Sequence, residues 1–135
     1  RIPEDLRSRI RLHAESGYPE EVCGVMVGRD GSDERVVEEL YAAENTMDEN
    51  RARRYLIEPL ELARIERNAD ARGLAVLGFY HSHPDHPPRP SQTDLDWAWP
   101  YYSYVIQEVR AGSSAGCHSW RLVEDERKFV EEEIS

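Results

Sequence analysis

Residues 74–80, LAVLGFY, form an unbroken apolar run that leads straight into two histidines one residue apart, His81 and His83. A short continuous run of this kind reads as a central buried strand, so the chain must supply other elements to pack around it. The flanking sequence does so. Pro3, Glu4 and Asp5 open a segment in which Leu6, Ile10 and His13 recur at helical spacing and Gly17 stands ready as a stop, which predicts a helix over 3–16. EVCGVMVG (21–28) and RVVEELYAAE (35–44), joined by the turn-rich RDGSDE, predict a hairpin. YLIEP (55–59) predicts a brief strand, and Leu60, Ala63, Ile65 and Ala69 give a partial helical stripe from Pro59 to Arg72 with Gly73 as its stop.

Beyond the histidines, Ser91 precedes a short helical segment with Asp94 three positions on, the spacing of a capping box. YSYVIQEVR (102–110) and CHSWRLVED (117–125) read as strands separated by AGSSAG, and RKFVEEEI (127–134) as a last edge strand or a frayed helix. The order α, β, β, β, α, β, short α, β, β, β predicts a mixed sheet with helices packed on it, an α/β or α+β domain. Residues 44–54, ENTMDENRARR, carry almost no apolar side chain and read as a solvated loop that orders when something lies against it.

At 135 residues, one domain with one core is expected over 1–135. The net charge of -10 repels nucleic acid and anionic lipid. No stretch approaches the roughly 20 apolar residues of a membrane-spanning helix, and the charged opening residues lack the apolar core of a secretion signal, so a cytoplasmic location is expected. Cys23 and Cys117 are then expected as reduced thiols.

Alternate side chains of a strand share a face, so His81 and His83 would present both rings on one side. Pro84, Pro87, Pro88 and Pro90 fix the course of the following loop, and Asp94 can return a carboxylate to the same place. Two imidazoles and one carboxylate suit zinc in its catalytic form, with a fourth position for water whose pKa falls toward about 7. A base is still required. Glu20 and Glu21, where a loop enters a strand, are the candidates, and Ser91 can donate its hydroxyl to a developing oxyanion. Taken singly, these residues have plainer readings: Ser91 with Asp94 as a helix cap, the two glutamates as solvated acids, His86 as structural or substrate-facing rather than a ligand. His13 and His118 fit helix-surface and strand positions without a role.

Together, however, PEEVCG, HSHP at 81–84, Ser91 and Asp94 fill every position of one motif: an early glutamate, His-x-His, seven residues, then Ser-x-x-Asp. The chain thereby resembles the JAMM, or MPN-plus, zinc peptidases, and YPEEVCGVMVG, YLIEP and VLGFYHSHPDHPPRPSQTDLDWA resemble the small bacterial and archaeal members over most of residues 10–110. The resemblance implies a cytidine-deaminase-like mixed sheet flanked by helices. It implies one zinc held by His81, His83 and Asp94, with Glu21 as general base, Glu20 as a neighbour only and Ser91 as oxyanion donor. It also implies hydrolysis of a peptide or isopeptide bond after the C-terminal Gly-Gly of a ubiquitin-like or sulfur-carrier protein, whose extended tail the 44–54 segment would flank. The alternatives are a catalytically silent scaffold, as in MPN-minus relatives, and a metal hydrolase acting on a small non-protein amide.

Overall fold

The computed structural model describes residues 1–31, 34–123 and 125–135. Helix α1 (Glu4–Gly17) is followed by β1 (Cys23–Asp30), β2 (Arg35–Ala43), α2 (Pro59–Ala71), β3 (Ala75–Pro84), α3 (Gln92–Asp96), β4 (Ser103–Arg110), β5 (Ser113–Val123) and β6 (Lys128–Glu132). The six strands form one mixed sheet in the order β2-β1-β3-β4-β5-β6, in which the β3–β4 pair is parallel and the other pairs are antiparallel. This is the mixed α+β sheet with flanking helices that the pattern predicts. Within the hairpin turn expected at 29–34, residues 32 and 33 lie outside the described residues, as does Glu124 in the predicted 117–125 strand.

The helices cover the sheet because of where their apolar side chains fall. Leu6, Ile10 and Ala14 recur every four residues along α1 and are buried; the first two pack with Met26, Leu40, Leu77, Tyr80 and Val105. His13 lies beside that stripe, where its Nδ1 is 2.8 Å from the Tyr80 hydroxyl. A second cluster packs α2 through Ala69, Leu62 and Ile65 onto Val25, Val27, Val76 and Phe79. Burying one such side chain stabilises by about 1.5–3 kcal/mol, which is what binds each helix to the sheet.

Strand β3 explains the buried run. It pairs on both sides, and the register slips between Met26 and Val27: Met26 faces Gly78 while Val27 faces Val76, which leaves Leu77 as a bulge. Beyond the bulge, Phe79, His81 and His83 share one parity and Tyr80 and Ser82 the other. Gly78 packs tightly against β4; a Cβ there would lie 1.9 Å from the Ser103 carbonyl oxygen.

Two expectations need correction. YLIEP forms no strand: the Leu56 N–H donates to Asn45 Oδ1 and its carbonyl accepts from Thr46, so the backbone groups a sheet would need are spent within the loop. AGSSAG is not a connector as a whole. Ala111 (φ 47°) and Gly112 (φ 87°) make a two-residue turn, Arg110 pairs with Ser113, and β5 begins there. Strand β3 carries the histidines as the alternation argument requires and runs on to Pro84, because parallel pairing with β4 continues to the Pro84–Val109 partners. Of the two readings of the last segment, the edge strand holds: β6 pairs with β5 from Lys128 to Glu132. His118, on β5, meets Glu131 of β6 with Nδ1 2.5 Å from Oε2.

Candidate metal centre

Two strands and a capped turn bring the site together. His81 and His83 leave β3 on the same side, and Asp94 returns from the first turn of α3. The capping box that the sequence suggests is present: the Asp94 N–H donates to Ser91 Oγ at 3.1 Å and the Ser91 N–H donates to Asp94 Oδ2 at 2.9 Å. That cap aims Asp94 Oδ2 at the histidines, 3.3 Å from His81 Nε2 and 3.2 Å from His83 Nε2, while the two nitrogens are 3.2 Å apart. Three donors on a tetrahedral zinc at about 2.0–2.1 Å would be about 3.3 Å from one another, so the triangle has the size of one face of such a tetrahedron.

The protonation pattern agrees with that use. His83 Nδ1 is 2.7 Å from the Pro87 carbonyl oxygen, which can only accept, so Nδ1 carries the proton and Nε2 offers a lone pair to the triangle. Burial lowers the His83 pKa and favours this neutral form. Asp94 is also buried, which alone would raise its pKa, but the two imidazoles beside it, His81 foremost, and the Ser91 N–H together hold the carboxyl well below the usual range. The His81 ring lies against Tyr55, with centroids 4.5 Å apart and planes at 26°. Its buried Nδ1 has no hydrogen-bond partner among the described residues.

Of the two candidate glutamates, only Glu21 enters the site. Glu20 is exposed, whereas the Glu21 side chain is 1% exposed. The antiparallel register pairs Cys23 with His81, so Glu21, two residues earlier, arrives beside His83. Carboxylate and imidazole donors of Glu21, His83 and His86 lie within 4.8 Å of one another. Among the described residues, Glu21 Oε1 is buried without a hydrogen-bond partner. Such a group is costly unless something else in the site satisfies it. Burial first, and then the Asp94 charge, push the Glu21 carboxyl up to about 9, with Arg53 acting in the opposite direction. A divalent cation in the adjoining triangle would act on Glu21 in the same direction as Arg53.

Four residues of this neighbourhood carry parts that pattern alone does not give. Ser82, between the histidines, is fully buried on the opposite parity, and its Oγ accepts from the Val22 N–H at 2.9 Å, locking the entry of β1 to β3. Strict alternation is the signal that would have placed it there. Asn45 uses its whole amide: Nδ2 donates to the Glu21 and Arg54 carbonyls at 3.0 Å, and Oδ1 accepts from the Met47 and Leu56 N–H groups at 3.1 Å. With the Glu21 N–H donating to the Arg51 carbonyl at 2.7 Å, the polar 44–54 segment is a folded wall of the site, not merely a solvated loop. Tyr55 is the third residue. His86, the fourth, lies outside the triangle, with its ring stacked on His83 at 4.1 Å. Burial and the neighbouring His83 lower its pKa.

A buried His-His-carboxylate triangle with an unsatisfied glutamate beside it, at the end of the central strands of a mixed sheet, is suited to a hydrolytic metal centre. The chain belongs to the family of prokaryotic homologs of the JAB domain, whose model matches residues 3–123. It is 38% identical over 124 residues to a desampylase of Haloferax volcanii, covering 88% of this chain and 86% of that one. It is 32% identical over 113 residues to a probable TtuB-protein conjugate cleaving protease of Thermus thermophilus, covering 82% and 72%. A CysO-cysteine peptidase of Mycobacterium tuberculosis is 29% identical over 126 residues, covering 91% and 82%. A solved protein from Salinibacter ruber superimposes with a TM-score of 0.76 at 39% identity, covering 99% of this chain and 89% of that one. Among the described residues, no helix is long and apolar enough to cross a membrane.

Proposed function

We propose that this chain is a zinc metallopeptidase that hydrolyses the peptide or isopeptide bond after the C-terminal Gly-Gly of a ubiquitin-like or sulfur-carrier protein. The observation that carries the reading is the triangle of His81, His83 and Asp94 at zinc-tetrahedron size with the unpartnered Glu21 carboxylate beside it. The relatives' names support the substrate class, since they denote enzymes that cleave protein conjugates or remove cysteine from a carrier.

In this reading His81, His83 and Asp94 hold one zinc per chain. When bound, zinc at such a site lowers the pKa of water toward about 7 and polarises a carbonyl. Glu21 takes the proton of the attacking water at its carboxylate and later delivers it to the departing amine, which is why it must be close yet not a ligand. Ser91 Oγ already accepts from the Asp94 N–H, but a hydroxyl keeps its own proton to donate, so Ser91 can cap α3 and stabilise the oxyanion together. The Pro87 carbonyl and Tyr55 keep the two imidazoles from rotating. The same reading takes 1–135 as one JAMM/MPN-plus domain acting in the cytoplasm, in keeping with its two free cysteines.

The test is incubation of the zinc-loaded protein with ubiquitin-like carriers conjugated through their C-terminal glycine to a lysine side chain or to cysteine. Mass spectrometry should find the carrier restored to its free Gly-Gly end. Intact conjugates across several carriers would overturn the reading.

A further inference from the structure

His86 is not needed to complete the triangle, yet it is built into the site with unusual definition. Its Nδ1 is 2.8 Å from the Pro84 carbonyl oxygen, so that nitrogen donates and Nε2 of the neutral ring is left as an acceptor. Nε2 faces Glu21 Oε2 at 3.9 Å. At that separation the two atoms are too far apart to hydrogen-bond to each other, but one polar group placed between them can reach both. The Glu21 side chain is 1% exposed and that of His86 15%, so the gap is reached from the solvent side past His86. The stack on His83 fixes the ring in this orientation.

Resting on the peptidase reading above, we propose that His86 Nε2 and Glu21 Oε2 hold the leaving nitrogen between them, Nε2 accepting from its N–H and Oε2 delivering its new proton, which makes His86 a catalytic residue specific to amide substrates. In the reaction, the water oxygen bonds to the glycyl carbonyl carbon and its proton passes to Glu21. The C–N bond then breaks, and the same proton goes from Glu21 to the nitrogen. A nitrogen losing its acyl group carries N–H bonds throughout, and these point to acceptors. His86 accepts one while Glu21 delivers the new proton, which holds the nitrogen's lone pair toward Glu21. An ester's departing oxygen brings no such N–H bond, so His86 has nothing to accept there.

The experiment compares two substrates of one ubiquitin-like carrier: the C-terminal glycine joined to an amine through an amide, and to the matching alcohol through an ester. His86→Phe keeps the ring stacked on His83 and removes the acceptor. It should lower kcat/KM on the amide by about tenfold or more while changing the ester by less than about threefold, with zinc content unchanged. His86→Gln, whose amide oxygen can accept, should recover part of the amide activity. Equal losses on amide and ester, or a loss that follows zinc content, would overturn the role assigned to His86 and leave the peptidase reading standing. Failure of the unsubstituted protein to cut either substrate would overturn both.

Discussion

Tyr55 lies nearly flat against His81, ring centroids 4.5 Å apart, although it belongs to a segment with no regular secondary structure. The contact exists because Asn45 ties that segment to the Glu21 carbonyl and to Leu56. The base and one proposed ligand are therefore held through a single amide.

Asn45→Ala should loosen this wall. Backbone amide exchange of residues 46–56 is expected to accelerate, and turnover to fall by roughly tenfold or more as Glu21 and His81 lose their alignment. Asn45→Asp keeps an acceptor for Met47 and Leu56 and should fall between the two. Exchange rates and kcat equal to those of the unsubstituted protein in Asn45→Ala would refute the coupling.

Glu21→Gln removes the proton carrier without touching the triangle. Turnover should drop by about 10²–10⁴-fold with stoichiometric zinc retained, read by metal analysis beside the conjugate assay. Normal cleavage by this variant would mean that the base lies elsewhere.

The same substitution has a separate effect on the metal-free protein. The Glu21 carboxyl is raised to about 9 when folded, so folding favours its protonated form. Its contribution to stability is fully present below the unfolded value near 4.5 and is lost as the pH rises toward 9. In chelator, Glu21→Gln should therefore be more stable than the parent by about 1–3 kcal/mol near pH 8, and the gap should vanish near pH 4. Denaturant melts at the two pH values check the sign; a gap that grows on acidification would reverse it.

Removing ligands should uncouple metal from stability. At free zinc a thousandfold above its Kd, binding adds about 4 kcal/mol to the folded state. The resulting rise in Tm should disappear in His81→Ala and in Asp94→Ala. An undiminished zinc-induced shift in these variants would place the metal at other residues.

Gly78→Ala tests the frame that carries the histidines. The added Cβ would meet the Ser103 carbonyl oxygen at 1.9 Å and its nitrogen at 2.7 Å, backbone atoms that move only if β3 and β4 part. A loss of about 3 kcal/mol or more is expected in urea unfolding. A parental midpoint would show that the pair tolerates the extra atom.

The sequence by itself determined the central strand, the shared face of His81 and His83 and the Ser91–Asp94 cap, because apolar runs, two-residue alternation and capping chemistry act over neighbouring residues. Only the tertiary structure decided how Glu21, which the resemblance already singles out over Glu20, turns inward, that YLIEP closes a loop instead of pairing, and that His86 faces Glu21. Each of these depends on partners distant in the chain: the Cys23–His81 register, the hydrogen bonds of Asn45, the stacking of His86 on a ring that β3 presents. Strand register and buried hydrogen bonds are settled by what packs opposite, and local pattern does not contain that information.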